Sequence, residues 1–244
     1  MFRKIKMLLG VSNALNKWLK ADLLRLPAQD GQRVGMHAIE SDEHVFCWQL
    51  HIIDNIYKSG YKTIIACEAN SRFTLFIPVV AVLSLEELTK RLLKEWQYVV
   101  AETLQQLRAM PNSDIAMLLS DLSEVSVETN WVKNTDMSIS GHISDAAIWV
   151  TQTIAEQGLE GLPTELAADL SIHLNTLMKR TKNQRQKFMP IVKMMDYCQG
   201  ILKESQPLPT KPVLAPATNA VLESGAEIST LAGDNIVQLS DYRK

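Results

Sequence analysis

The sequence predicts an α+β domain: an antiparallel sheet packed against a long helix, a helical C-terminal subdomain, and a disordered C-terminal tail. Three observations predict it. Three β-rich runs lie between Val45 and Val80, an apolar stripe of helical period runs from Ser84 to about Ala109, and prolines crowd the stretch beyond Glu204. Residues 1–130 are assigned to the sheet and long helix, 131–204 to the helical part of the same domain, and 205–244 to the tail.

Phe2 to Leu9 reads as a short strand, and Ser12 as the N-cap of a helix whose Leu15, Trp18 and Leu19 recur at helical spacing. Pro27, Gly31 and Gly35 mark a polar loop that runs through the acidic stretch Glu40 to Glu43. From Val45 to Ile53, Phe46, Trp48, Leu50 and Ile52 alternate with Cys47, Gln49 and His51, the period of a half-buried strand. Lys62 to Glu68 and Phe73 to Val80 supply two further runs. Turn residues at Asn55 to Gly60 and at Asn70-Ser71 separate them, so a three-stranded antiparallel meander is the simplest arrangement. Ser84 caps the long helix, with Leu88, Leu92, Trp96, Val99 and Thr103 on one face and Glu86, Lys90 and Lys94 on the other. Trp48 and Trp96, at those periods, are core anchors rather than a platform for a base.

After Pro111 the pattern gives a short helix over Ser113 to Leu122, a strand over Val125 to Thr129, and a helix over Ser144 to Glu156, capped by Ser144 and ended by Gly158. Helices 164–179 and 187–203 follow, with Pro190 in the first turn of the second, where a missing N–H costs little. Beyond them Pro207, Pro209, Pro212 and Pro216 lie among Ala, Thr, Ser and Gly, a composition that buries too little surface to offset ordering entropy. The chain turns apolar and aromatic again at its end, where Val237, Leu239 and Tyr242 form a candidate partner peptide.

Composition narrows the class. The chain has 244 residues, 46% apolar and 21% charged, with a mean hydropathy of -0.03. It holds no run of about 18 apolar residues, so it reads as a water-soluble globular protein with no membrane partner. The apolar stretch Met7 to Val11, after basic Arg3, Lys4 and Lys6, is too short for a secretory signal, which makes a cytoplasmic location the expectation. Cys47, Cys67 and Cys198 lie far apart with no CxxC pair, so buried free thiols are expected and no cofactor is implied. Net charge is -2, which does not steer the whole molecule toward nucleic acid, yet residues 170–195 hold six basic side chains and no acidic one before the end of that window.

Three pieces of the chain, in order, resemble a bacterial domain family of unknown function found in chromosomal, plasmid and phage-type proteins. They are the strand-to-helix start from Ile5 to Leu19; Trp48-Gln49-Leu50-His51 with the hairpin to Phe76 and the long helix; and the stretch from Asn134 through Ser138 and Gly141 to Asp145. Met137 stands where the family pattern has Arg, and Gln49 where it tends to have His. The resemblance spans roughly residues 1–180 and implies a fold class, a bacterial origin and a setting in mobile elements or phage defence, but no reaction.

Four constellations are candidate sites. Lys179, Arg180, Lys182, Arg185 and Lys187, interleaved with Thr181, Asn183, Gln184 and Gln186, are side chains that commonly meet phosphate oxygens. A solvated interhelix segment would look the same. Ser138, Ser140, Gly141 and Ser144 read as a loop at a helix start where backbone donors could receive an anion. The plainer alternative is an ordinary cap. His37, His44 and His51, with Glu40 and Asp42, could converge on a metal, although the spacing fits no ligand pattern. Val237, Leu239 and Tyr242 complete the set.

The leading functional expectation is therefore a non-enzymatic macromolecule-binding module, with nucleic acid or protein as its partner. The alternative is a metal-assisted hydrolase or nuclease built on the histidines and neighbouring carboxylates. Three of those side chains would have to meet in the folded chain for the alternative to stand.

Overall fold

The computed structural model describes residues 4–27, 34–57, 59–181 and 184–203. Five strands form one sheet in the order β4-β3-β2-β1-β5: β1 (Lys4–Val11), β2 (Val45–Asp54), β3 (Lys62–Glu68), β4 (Thr74–Val79) and β5 (Ser126–Lys133). The meander expected for β2, β3 and β4 is present, with Leu50 opposite Ala66 and Ile65 opposite Phe76. The sheet as a whole is mixed rather than antiparallel, because β1 runs parallel to both of its neighbours, Leu9 lying between Trp48 and Trp131. Residue 130 falls inside β5, so the two parts assigned to the domain share this sheet.

Burial on both faces explains the layers. Phe46, Trp48 and Leu50 point to one face, where they meet α1 (Asn13–Leu19), α2 (Leu85–Gln106), α3 (Asn112–Ser123) and α6 (Pro190–Lys203). Cys47, Ile65, Cys67 and Phe76 point to the other, under α4 (Met137–Gln157) and α5 (Thr164–Thr176). The helices after residue 136 therefore divide between the two faces instead of forming a body of their own. Trp48 and Trp96 are buried as expected. Phe46 sits between them and Tyr197, with ring centroids 4.6 to 5.3 Å apart, and the Trp96 indole Nε1 donates to the Met194 sulfur at 3.3 Å.

The caps follow local chemistry. Ser12 accepts from the Leu15 amide at the start of α1, and Ser84 and Glu87 close a reciprocal capping box at the start of α2. Helix α4 begins two turns earlier than its serines imply: Asp136, not Ser144, is its N-cap, and Gly158, at φ 64°, ends it. Gly141 is tolerated inside because Ile139 and Ile143 extend the buried stripe of Ala146, Val150 and Ile154, and that burial outweighs the propensity cost of one glycine. Residues 179–188 also depart from expectation. There β6 (Lys179–Thr181) pairs antiparallel with β7 (Gln184–Phe188) between α5 and α6, and α6 waits for Pro190, before which Met189 is biased to an extended backbone. Among the described residues no helix is long and apolar enough to cross a membrane.

The exposed edge of β4 is covered by side chains of α5. Asn175 both accepts from the Thr74 amide (2.8 Å) and donates to the Thr74 carbonyl (2.9 Å), while the Ser171 hydroxyl accepts from the Phe76 amide. Two polar residues thus complete the ladder that a sixth strand would have completed. This docking fixes where α5 ends, and so where Lys179 begins.

Candidate functional site

The turn joining β3 to β4 is organised by one buried carboxylate. Glu68, 1% exposed, accepts from the Asn70 amide (3.1 Å), the Ser71 amide (2.6 Å), the Ser71 hydroxyl (2.5 Å) and the Ser41 hydroxyl. The turn ends on Arg72, which is 8% exposed and held at φ 59°, a left-handed backbone that costs a non-glycine residue about 1 kcal/mol or more. That backbone aims the guanidinium toward α4. Nη1 donates to the Ala69 carbonyl and Nη2 to the Ser138 hydroxyl at 3.2 Å, while Nε finds no partner among the described residues.

Ser138 is placed by a second polar cluster. Asn134 exchanges two hydrogen bonds with the His37 backbone (2.9 and 2.8 Å), and Asp136 accepts from the Ile39 amide (2.9 Å) and the Ser138 amide (2.7 Å). The Gln49 amide ties Gly10, Asn134 and Asp136 together at the ends of the parallel strands, with contacts of 2.8 to 3.1 Å. The passage from β5 into α4 is thereby fixed in direction.

The hairpin then brings a second cation in. The Lys179 ammonium donates to the Arg72 carbonyl at 3.2 Å and the Thr74 hydroxyl at 3.3 Å, across 107 residues of chain in the first case. Among the described residues neither Arg72 nor Lys179 forms an ion pair with a carboxylate. Burial lowers the pKa of Lys179, and the Arg72 charge lowers it further, against the raising influence of Cys67 and Asp145. His142, one turn on from Ser138, is pushed down to about 4, first by desolvation and then by the Arg72 and Lys179 charges. Lys193, over the Phe188 ring at 3.9 Å, is also lowered by burial and by Arg72. Cations that depress one another's protonation form a half-buried seat of positive potential, with a hydroxyl and an imidazole at its rim.

The structure treats the expected site residues unequally. Lys179 reaches Arg72 and Thr74; Arg180 and Lys187 are exposed on the hairpin; Lys182 lies outside the described residues, and Arg185 stands in β7. Of the serine set, only Ser138 reaches the cleft. These residues are helix, not loop: the Ser140 hydroxyl donates to the Asp136 carbonyl (2.8 Å), that of Ser144 to the Ser140 carbonyl (2.9 Å), and Gly141 faces open space. At the helix start the Asp136 carboxylate takes the Ser138 amide and the Asp136 carbonyl takes those of Ile139 and Ser140, which corrects the loop reading. His37 is buried with neither ring nitrogen bonded, His44 is exposed 3.5 Å from the Glu43 carboxylate, and His51 bonds the Ser12 hydroxyl at 2.8 Å. Among the described residues no three His, Cys, Asp or Glu side chains are placed to hold a metal ion, so the histidines do not converge. Cys47, Cys67 and Cys198 are free and buried, and desolvation raises the pKa of all three thiols. Val237, Leu239 and Tyr242 lie outside the described residues.

Arg72 and His142 were not singled out by sequence. Arg72 carries no local signal beyond a basic residue in a turn, and His142 gains meaning only once α4 is extended back to Met137. No protein-family model matches the chain, and no curated protein matches it. Fold and cleft together define an α+β domain whose sheet edge carries a cationic seat.

Proposed function

We propose that the domain is a non-enzymatic module that binds nucleic acid, seating a backbone phosphate between Arg72 and Lys179 and contacting further phosphates with Arg180 and Lys187 on the hairpin. The observation that supports it is the juxtaposition of a buried Arg72 and a half-buried Lys179, from β-turn and hairpin, with no carboxylate paired to either among the described residues. Such an arrangement is unfavourable empty, and a phosphate oxyanion offsets the desolvation of both. Counter-ion release from Lys and Arg then supplies sequence-independent affinity.

Fluorescence anisotropy with labelled oligonucleotides, at about 50 mM and about 150 mM salt, tests the reading. Affinity should fall with salt, and the triple variant Lys179→Gln, Arg180→Gln, Lys187→Gln should weaken binding to all sequences alike and flatten the salt slope by about 0.7 to 0.9 per phosphate lost. Absence of binding at low salt, or binding untouched by the triple variant, overturns it.

A further inference from the structure

Residues Ser138, His142, Asp145 and Trp149 are spaced by four, three and four, and so lie along one side of α4, about 100° around the helix from its buried Ile139, Ile143, Ala146 and Val150. The near end of this row is the cationic seat, through the bond from Arg72 to Ser138. The far end is aromatic. Trp149 is 39% exposed and meets the ring of His173 on α5 edge-on, with centroids 5.0 Å apart. From His173 the chain runs through Leu177 and Met178, both exposed, directly into Lys179. Aromatic end and cationic end therefore belong to one continuous strip, joined along both α4 and the chain leaving α5.

We infer that this strip is a track for single-stranded nucleic acid, in which Trp149 stacks on a base while Arg72 and Lys179 hold a nearby phosphate. The inference rests on the nucleic-acid reading above and adds to it the strand form and the stacking residue. From Ser138, which bonds Arg72, to Trp149 the helix rises about 16 Å, a span suited to a short stretch of extended strand. An indole face is sequence-tolerant because every base presents a π-face, but in a duplex those faces are occupied by neighbouring bases. Stacking on Trp149 thus selects unpaired strands, whereas the phosphate seat alone would not. Asp145 is the carboxylate on this row. Its charge acts on Lys179 and His142 at the cationic end of the row.

The test uses the full chain with dT15, rU15 and a 15-base-pair DNA duplex, followed by anisotropy and by tryptophan fluorescence. Expected are tighter binding of the single strands than of the duplex, quenching of tryptophan emission by dT15 or rU15 that is absent from Trp149→Phe, and about a tenfold loss of single-strand affinity in Trp149→Ala that Trp149→Phe largely restores. The dT15 and rU15 arms show whether the strand is DNA or RNA. The duplex, held by phosphates alone, should bind Trp149→Ala as it binds the parent. Equal binding of duplex and single strand, or a Trp149→Ala variant indistinguishable from the parent on dT15 and rU15, overturns the track while leaving the phosphate seat intact. Binding of none of the three overturns the track and the nucleic-acid reading together. A dimer in sedimentation that disappears in Trp149→Ala assigns the aromatic end to a second copy and also overturns the track.

Discussion

Two buried polar clusters sit at neighbouring places in this fold and are built on opposite principles. The side-chain donors and acceptors of Gln49, Asn134 and Asp136 meet backbone partners, and the result is a rigid joint between β1, β2, β5 and α4. Around Arg72 and Lys179 the hydrogen bonds go to carbonyls and hydroxyls, neither cation forms an ion pair among the described residues although the Asp145 charge acts on Lys179, and one guanidinium nitrogen has no partner among them. A saturated cluster stabilises one conformation; a cluster short of negative charge is held together by the rest of the fold and is completed by a ligand. The first serves architecture, and the second is where the proposed phosphate would sit.

Removing a side chain from each cluster should separate these roles most sharply. Asn134→Ala strips partners from the buried His37 amide and carbonyl, whose desolvation is then unrecovered, and should destabilise the domain by about 2 to 4 kcal/mol. Urea unfolding followed by circular dichroism measures it. A midpoint within error of the parent would show that the joint is dispensable and that the two clusters do not differ as argued.

Lys179→Met is the matching change in the cleft. It keeps the aliphatic stem and removes a desolvated charge that no carboxylate pairs with, so stability should hold or rise, within about 1 kcal/mol of the parent. A loss as large as that of Asn134→Ala would mean that the ammonium is a structural strut for the Arg72 and Thr74 oxygens, and would remove the contrast between the clusters.

How much of this was legible depends on the range over which each signal acts. Helices α2 and α3, the β2 to β4 meander, and the burial of Trp48 and Trp96 follow from periodicity and turn residues within a few positions, and the structure contains them. The parallel pairing of β1 with β2 and β5 is set by burial on both sheet faces, which no local window reports. At α4, Gly141 and Ser144 imitate a helix start, while the true cap, Asp136, accepts from the Ser138 amide two residues on and is held in place by the amide of the distant Ile39. The cleft was half visible: Ser138 and Lys179 stood in two separate candidate sets, and Arg72, which joins them, stood in neither. A site assembled from a turn, a helix start and a hairpin has no sequence spacing of its own.

The pH response gives the smallest and most local distinction. His142 faces Arg72, Lys179 and Asp145, and its folded-state pKa of about 4 lies below the 6.5 of an unperturbed imidazole. Between those values the unfolded chain takes up a proton that the folded chain refuses. The stability due to a neutral His142 is therefore complete above pH 6.5 and lost as pH falls toward 4. His51, lowered by burial alone and bonded to Ser12 away from the cations, contributes in the same direction. His142→Asn should thus flatten only part of the drop in urea midpoint between pH 7 and pH 4.5. Bound phosphate separates the two histidines. An anion at Arg72 and Lys179 offsets the charges that depress His142 and should raise its pKa in an NMR titration, while leaving His51 where it was. If the two imidazoles move together, or neither moves at phosphate concentrations well above physiological, the cationic cleft is not an anion seat and its positive charge belongs to the architecture after all.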